Sequence, residues 1–119
     1  MKGTDAESAA LAHLEAAGLS LIERNYRCPM GEIDLVMKEG EAIVFVEVRQ
    51  RSGTRFGGAP ASITTGKKKR ILSAAKHYMI KLGSWPECRF DAVLLDAEGR
   101  ITWIRDAFGE EDGRALRFR

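Results

Sequence analysis

The sequence predicts an α/β domain, with helices and strands interleaved along one chain. Three observations predict it. Two segments, Thr4–Gly18 and about Thr65–Leu82, repeat their apolar residues at helical spacing. Four others alternate with the period of two expected of strands. Finally, in Ala42–Arg49 both alternating faces are largely apolar, the pattern of a central strand covered on both sides.

The first helix, TDAESAALAHLEAAG, has Thr4 as its predicted N-cap and Gly18 as its stop. At 100° per residue Glu7 falls on the stripe of Ala10, Leu11, Leu14 and Gly18, so an acid sits on the inward face. Two readings of it are open: a functional carboxylate, or the second half of a Thr4-x-x-Glu7 capping box. Leu19–Arg27 reads as a strand, and Pro29-Met30-Gly31 bends the chain into the next. After Arg49 the run QRSGTRFGGAPAS has the composition of a mobile basic loop. The second helix presents Ile71, Ala75, Tyr78 and Leu82 on one face and ends at Gly83-Ser84-Trp85-Pro86. Cys88–Asp96 is a further strand, turned by Ala97-Glu98-Gly99 into a last one, Arg100–Arg105.

The stretch Gly31–Arg49, GEIDLVMKEGEAIVFVEVR, sets acids among apolar residues. Glu47 interrupts the doubly apolar strand, and a buried carboxylate without a partner costs several kcal/mol. It must be paired, protonated or bound to a cation. A two-residue turn at Glu39-Gly40 would pair Asp34 with Phe45 and Glu32 with Glu47, leaving Asp34 and Glu47 diagonal neighbours on one face, roughly 5.5–8 Å apart. A three-residue loop would send them to opposite faces. Gly at the second turn position favours the first register. Arg49 then lies two residues along on the face of Glu47. Asp91 is a further acid, for which an ion pair with Arg89 is the simpler reading.

Composition bounds the rest. With 119 residues, 45% of them hydrophobic and 30% charged, the chain fits one ordinary domain, 1–119, with a loose polar tail from about 109. No apolar run approaches the ~20 residues of a membrane span, and the N-terminus has no apolar signal core, which points to the cytoplasm. Cys28, Cys88, His13 and His77 make no zinc pattern. The net charge of +2 conceals an asymmetry: the 39 residues from Val48 to Pro86 carry nine Lys or Arg and no acid, and the other 80 carry ten cations and seventeen acids. Such a basic half suits a polyanion, although a solvated charged face is the plain alternative. Within it Lys67, Lys68, Lys69 and Arg70 crowd the start of a helix, where cations oppose the macrodipole by ~0.3–1 kcal/mol each. Helix stability does not account for them, whereas a phosphate would gain from both the side chains and the free N–H groups.

Glu7 in the first helix, Gly31-Glu32-Ile33-Asp34, Phe45-Val46-Glu47-Val48-Arg49 and Arg89-Phe90-Asp91 together resemble the YraN-like family of small bacterial proteins, over nearly the whole chain. That family is similar in fold to the PD-(D/E)xK nucleases, including archaeal Holliday-junction resolvases. The resemblance implies a restriction-endonuclease-like mixed β-sheet flanked by helices, in core order αβββαβ. It matches Asp34 to the motif Asp, Glu47 to the motif Glu and Glu7 to the acid of the first helix. Arg49 stands where the nuclease motif usually has Lys, keeping the charge but unable to accept a proton.

What the resemblance implies is a Mg²⁺- or Mn²⁺-dependent endonuclease acting on nucleic acid, DNA above all, at branched or structured sites. Asp34 and Glu47, with the Val48 carbonyl, would ligate the metal. Arg49, or Lys67 reaching in from the second helix, would orient water, and Glu7 would stand behind them. Arg51, Arg55, Lys67, Lys68, Lys69 and Arg70 would hold phosphates without reading sequence. Two alternatives stay open: a nucleic-acid-binding module without turnover on the same fold, and a protein-interaction domain whose basic face meets an acidic partner. A homodimer is compatible with all three.

Overall fold

The computed structural model describes residues 3–50 and 63–109, so Arg51, Arg55, most of the basic loop and the polar tail from 110 lie outside the described residues. The order is α1 (Gly3–Ala16), β1 (Ser20–Cys28), β2 (Gly31–Glu39), β3 (Ala42–Gln50), α2 (Thr65–Leu82), β4 (Cys88–Leu95) and β5 (Ile101–Phe108). The expected αβββαβ core is therefore present, with β5 added at its end. The five strands form one sheet in the order β1-β2-β3-β4-β5. All neighbours are antiparallel except β3 and β4, which run parallel and are joined by α2. A parallel pair needs such a crossover, because a tight hairpin can only reverse the chain.

The central strand is β3. Its alternating side chains divide between two cores, as its doubly apolar sequence requires. Phe45 and Ile43 pack with Ile71, Ala75, Tyr78 and Met79 of α2 and with Phe90. Val44 and Val46 pack on the other face with Ala6, Ala10 and Leu14 of α1, and with Leu35 and Val93. The sheet is thus a layer between two helices, the mixed α/β arrangement that the resemblance implies. Thr64 caps α2, its hydroxyl accepting from the Lys67 N–H at 3.1 Å. The α1 helix begins one residue before Thr4, so Thr4 lies within the helix and is not its cap.

Two details of register differ from the sequence expectation. Glu39 pairs with Ala42, so the turn is Gly40-Glu41, not Glu39-Gly40. Gly40 has φ 59 at the first turn position and Glu41 has no positive φ, the signature of a type II′ hairpin. The register moves by two residues, which changes partners and keeps faces. The second difference lies in β1, where Asn25 has φ 53 and the pairing skips Asn25 and Asp34 between Arg24–Leu35 and Tyr26–Ile33. A left-handed residue turns the strand, and strict alternation fails there. Ile33 joins the α2-side core while Leu35 and Met37 face α1, although alternation alone puts all three together.

Candidate functional site

Where the alternation fails, β2 and β3 also part. Their paired residues end at Leu35–Val46; one step further stand Asp34 and Glu47. There the Asp34 carboxylate takes over from the backbone, accepting the Val48 N–H at 2.8 Å. An acid at this position therefore satisfies a donor that the diverging strands would otherwise orphan. It also fixes one of its own oxygens beside Glu47.

Glu47 is 3% exposed, on the α2 side of the sheet. Burial pushes its carboxyl up, the neighbouring Asp34 pushes it further, and Lys67 and Arg49 pull it back, leaving it at about 8. Lys67 Nζ lies 3.6 Å from Glu47 Oε2 and Arg49 Nη1 lies 3.8 Å from the same oxygen. The two acids thus stand on one face, with two cations around the buried one.

Glu7 does not join them. It projects from α1, the helix on the opposite face of the sheet, and pairs with Arg24 of β1 at 3.5 Å. Its Oε1 is buried without a hydrogen bond. Among the described residues no group of three acids, histidines or cysteines is placed to hold a metal. Asp91 is fully buried and spoken for: Arg89 grips it through Nε and Nη2, and Trp103 Nε1 and the Asp106 N–H donate to it at 3.0 and 2.9 Å. The ion-pair reading of Asp91 holds. It bridges β4 and β5 at an irregularity in their pairing.

The basic turn of α2 divides in two. Lys67 turns inward to Glu47, and Lys68 lies 5.9 Å from the ring centre of Phe108. Lys69 and Arg70 are exposed. Sequence reasoning missed Arg24, Arg27 and Met30. Arg24 had a signal, since an acid in an apolar helical stripe demands a cation, but nothing in linear spacing says that β1 supplies it.

Asp34 and Glu47 are hard oxygen donors, and Mg²⁺ takes one or two carboxylates while keeping several waters, so the pair fits such an ion. Like charges this close resist joint ionisation, and a cation would remove that resistance.

Comparison with known sequences matches residues 6–95 to the model of the uncharacterised protein family UPF0102. A UPF0102 protein of Nitrosomonas europaea is 54% identical over 112 residues, covering 92% of this chain and 94% of its own. One of Cupriavidus necator is 53% identical over 93% of this chain and 85% of its own. One of Dechloromonas aromatica is 51% identical over 93% and 91%. The matched span holds most of α1, the Asp34–Glu47 pair, Lys67 and Asp91 together, and with that coverage and identity the chain belongs to UPF0102, the YraN-like family of small bacterial proteins.

Proposed function

We propose that this protein is a divalent-metal-dependent endonuclease that cuts phosphodiester bonds in branched or structured DNA. The observation that carries the reading is the placing of Asp34 beside the buried Glu47 at the point where β2 and β3 diverge. A neutral acceptor would serve the Val48 N–H as well, whereas the charge of Asp34 raises the cost of burying Glu47, which an ion pair with Lys67 and Arg49 does not need. Bound there, Mg²⁺ or Mn²⁺ would polarise the phosphate and lower the pKa of water. Asp34, held by the Val48 N–H, and Glu47, held by its buried setting, are the residues that would present oxygens to it.

Arg49 at the usual Lys position favours binding without turnover, because a guanidinium cannot accept a proton. Lys67 answers this objection. Its ammonium stands as close to Glu47 as the Arg49 guanidinium does; charged, it can donate to and orient a water, and unlike arginine it can give up its own proton and then accept one from water as the neutral amine. Lys69 and Arg70, with Arg51 and Arg55 of the loop, would hold phosphates. A cytoplasmic setting suits the two cysteines, Cys28 and Cys88, which form no disulfide.

The test is cleavage of linear, flapped and four-way DNA, and of RNA, with Mg²⁺, Mn²⁺ or a chelator. Metal-dependent cutting is expected, reduced at least about a hundredfold by Glu47→Gln or Lys67→Ala and retained by Arg49→Lys. Binding without cutting under every metal would leave the non-catalytic module, and absence of binding at low salt would leave the protein-interaction domain.

A further inference from the structure

A cavity of about 340 Å³ opens between the Pro29-Met30 turn and the first turns of α2. Lys67 lines the cavity and also reaches Glu47 at 3.6 Å. The closeness of its walls depends on Gly31, where a Cβ would lie 2.6 Å from the Arg70 carbonyl oxygen.

The lining combines two chemistries. Arg27 is neutralised by Glu32 at 3.1 Å, while Arg70 is exposed and has no acid partner among the described residues. Beside these stand Pro29 and Met30, the latter 44% exposed. A site for inorganic phosphate alone has no use for an exposed thioether. A site for an apolar ligand has no use for an exposed guanidinium. A nucleotide uses both, since its phosphate takes a guanidinium and its flat base lies well against sulfur and proline. The volume is at the small end of the roughly 300–1,000 Å³ of ligand clefts, room for one nucleotide and not for a duplex.

We infer that this cavity receives one unpaired nucleotide next to the phosphate being cut, its phosphate on Arg70 and its base against Met30 and Pro29. The inference deepens the nuclease reading and rests on it: it assigns the substrate a single-stranded or extruded nucleotide beside the cleavage point. A base inside a duplex could not enter, so intact duplex would bind through phosphates alone.

The experiment measures fluorescence anisotropy with Ca²⁺ in place of Mg²⁺, comparing a blunt duplex with the same duplex carrying a short single-stranded extension. Wild type should bind the extended duplex about tenfold more tightly, the effect of stacking one base. Met30→Ala should bring the two affinities close together without changing that for blunt duplex, and Met30→Phe should keep the preference. Met30 is exposed, so coincident melting curves for wild type and Met30→Ala will confirm that the fold is not the cause. Equal binding of both DNAs by wild type overturns the inference and leaves the nuclease reading standing. A preference unchanged in Met30→Ala also overturns it. Failure to bind either DNA takes both readings down. Deoxyadenosine monophosphate that binds as tightly as the extended duplex overturns it in favour of a small-molecule site.

Discussion

Asp34 accepts the backbone N–H of Val48 at 2.8 Å, at the point where the pairing of β2 and β3 stops. One carboxylate therefore closes the end of a ladder with one oxygen while standing against Glu47. The two roles can be separated by mutation.

Asp34→Asn keeps an oxygen acceptor for Val48 and removes the charge that repels Glu47. Its melting temperature without metal should equal or exceed that of wild type, and stabilisation by Mg²⁺ or Mn²⁺ should vanish, because a ligand stabilises only the state that binds it. Asp34→Ala leaves the N–H unsatisfied and should cost about 1–3 kcal/mol. Thermal melts of the three proteins with and without metal decide this. A large loss in Asp34→Asn under both conditions would make Asp34 a structural partner only.

Glu47 gives the metal-free protein a pH dependence of definite sign. Its folded value of about 8 lies above its ordinary 4.5, so between these values the native state holds a proton that the unfolded state has lost. Stability should fall as pH rises through this window and level off above it, by a few kcal/mol at most. Glu39, pulled down by Arg105 and Arg89, acts in the opposite direction and only at lower pH. Urea denaturation from pH 5 to 9 should show the decline in wild type and a nearly flat profile in Glu47→Gln. A flat wild-type profile would contradict the account of a buried Glu47 carboxyl beside Asp34.

Gly31 opens the GEID run because β2 starts against the backbone of α2. In Gly31→Ala the new methyl would meet the Arg70 carbonyl oxygen at 2.6 Å, and backbone cannot swing aside as a side chain can. The expected cost is about 1–3 kcal/mol, several degrees in Tm. A Gly31→Ala melt unchanged from wild type would mean that the two elements do not approach this closely.

The basic turn of α2 should contribute unequally to DNA binding. Lys67 and Lys68 face Glu47 and Phe108, which leaves Lys69 and Arg70 for phosphates. Replacing Lys69 and Arg70 together with Gln should flatten the slope of log K against log salt by about two. The same change at Lys68 alone should move it little. Equal effects at every position would indicate a diffuse field in place of defined contacts.

Local chemistry made much of this protein legible in its sequence. The bounds of α2 follow from its helical period and the Gly83 stop, and β3 reads as central because both its faces are apolar. Parity put Asp34 and Glu47 on one face even though the turn was placed one residue early, since a two-residue change of register preserves faces. Glu47 stood out because a buried acid in an apolar strand demands an explanation. Tertiary structure alone decided the rest. Glu7 reads as inward from its stripe, but only packing showed that inward means the opposite side of the sheet, beside Arg24. The left-handed turn at Asn25, which breaks alternation next to Asp34, has no signature in the apolar pattern. Lys67 and Lys69 are equivalent members of one basic run until α2 is laid on the sheet. Helical rotation then turns Lys67 toward Glu47 and leaves Lys69 in solvent, because which side of a helix is inside is set by what it packs against.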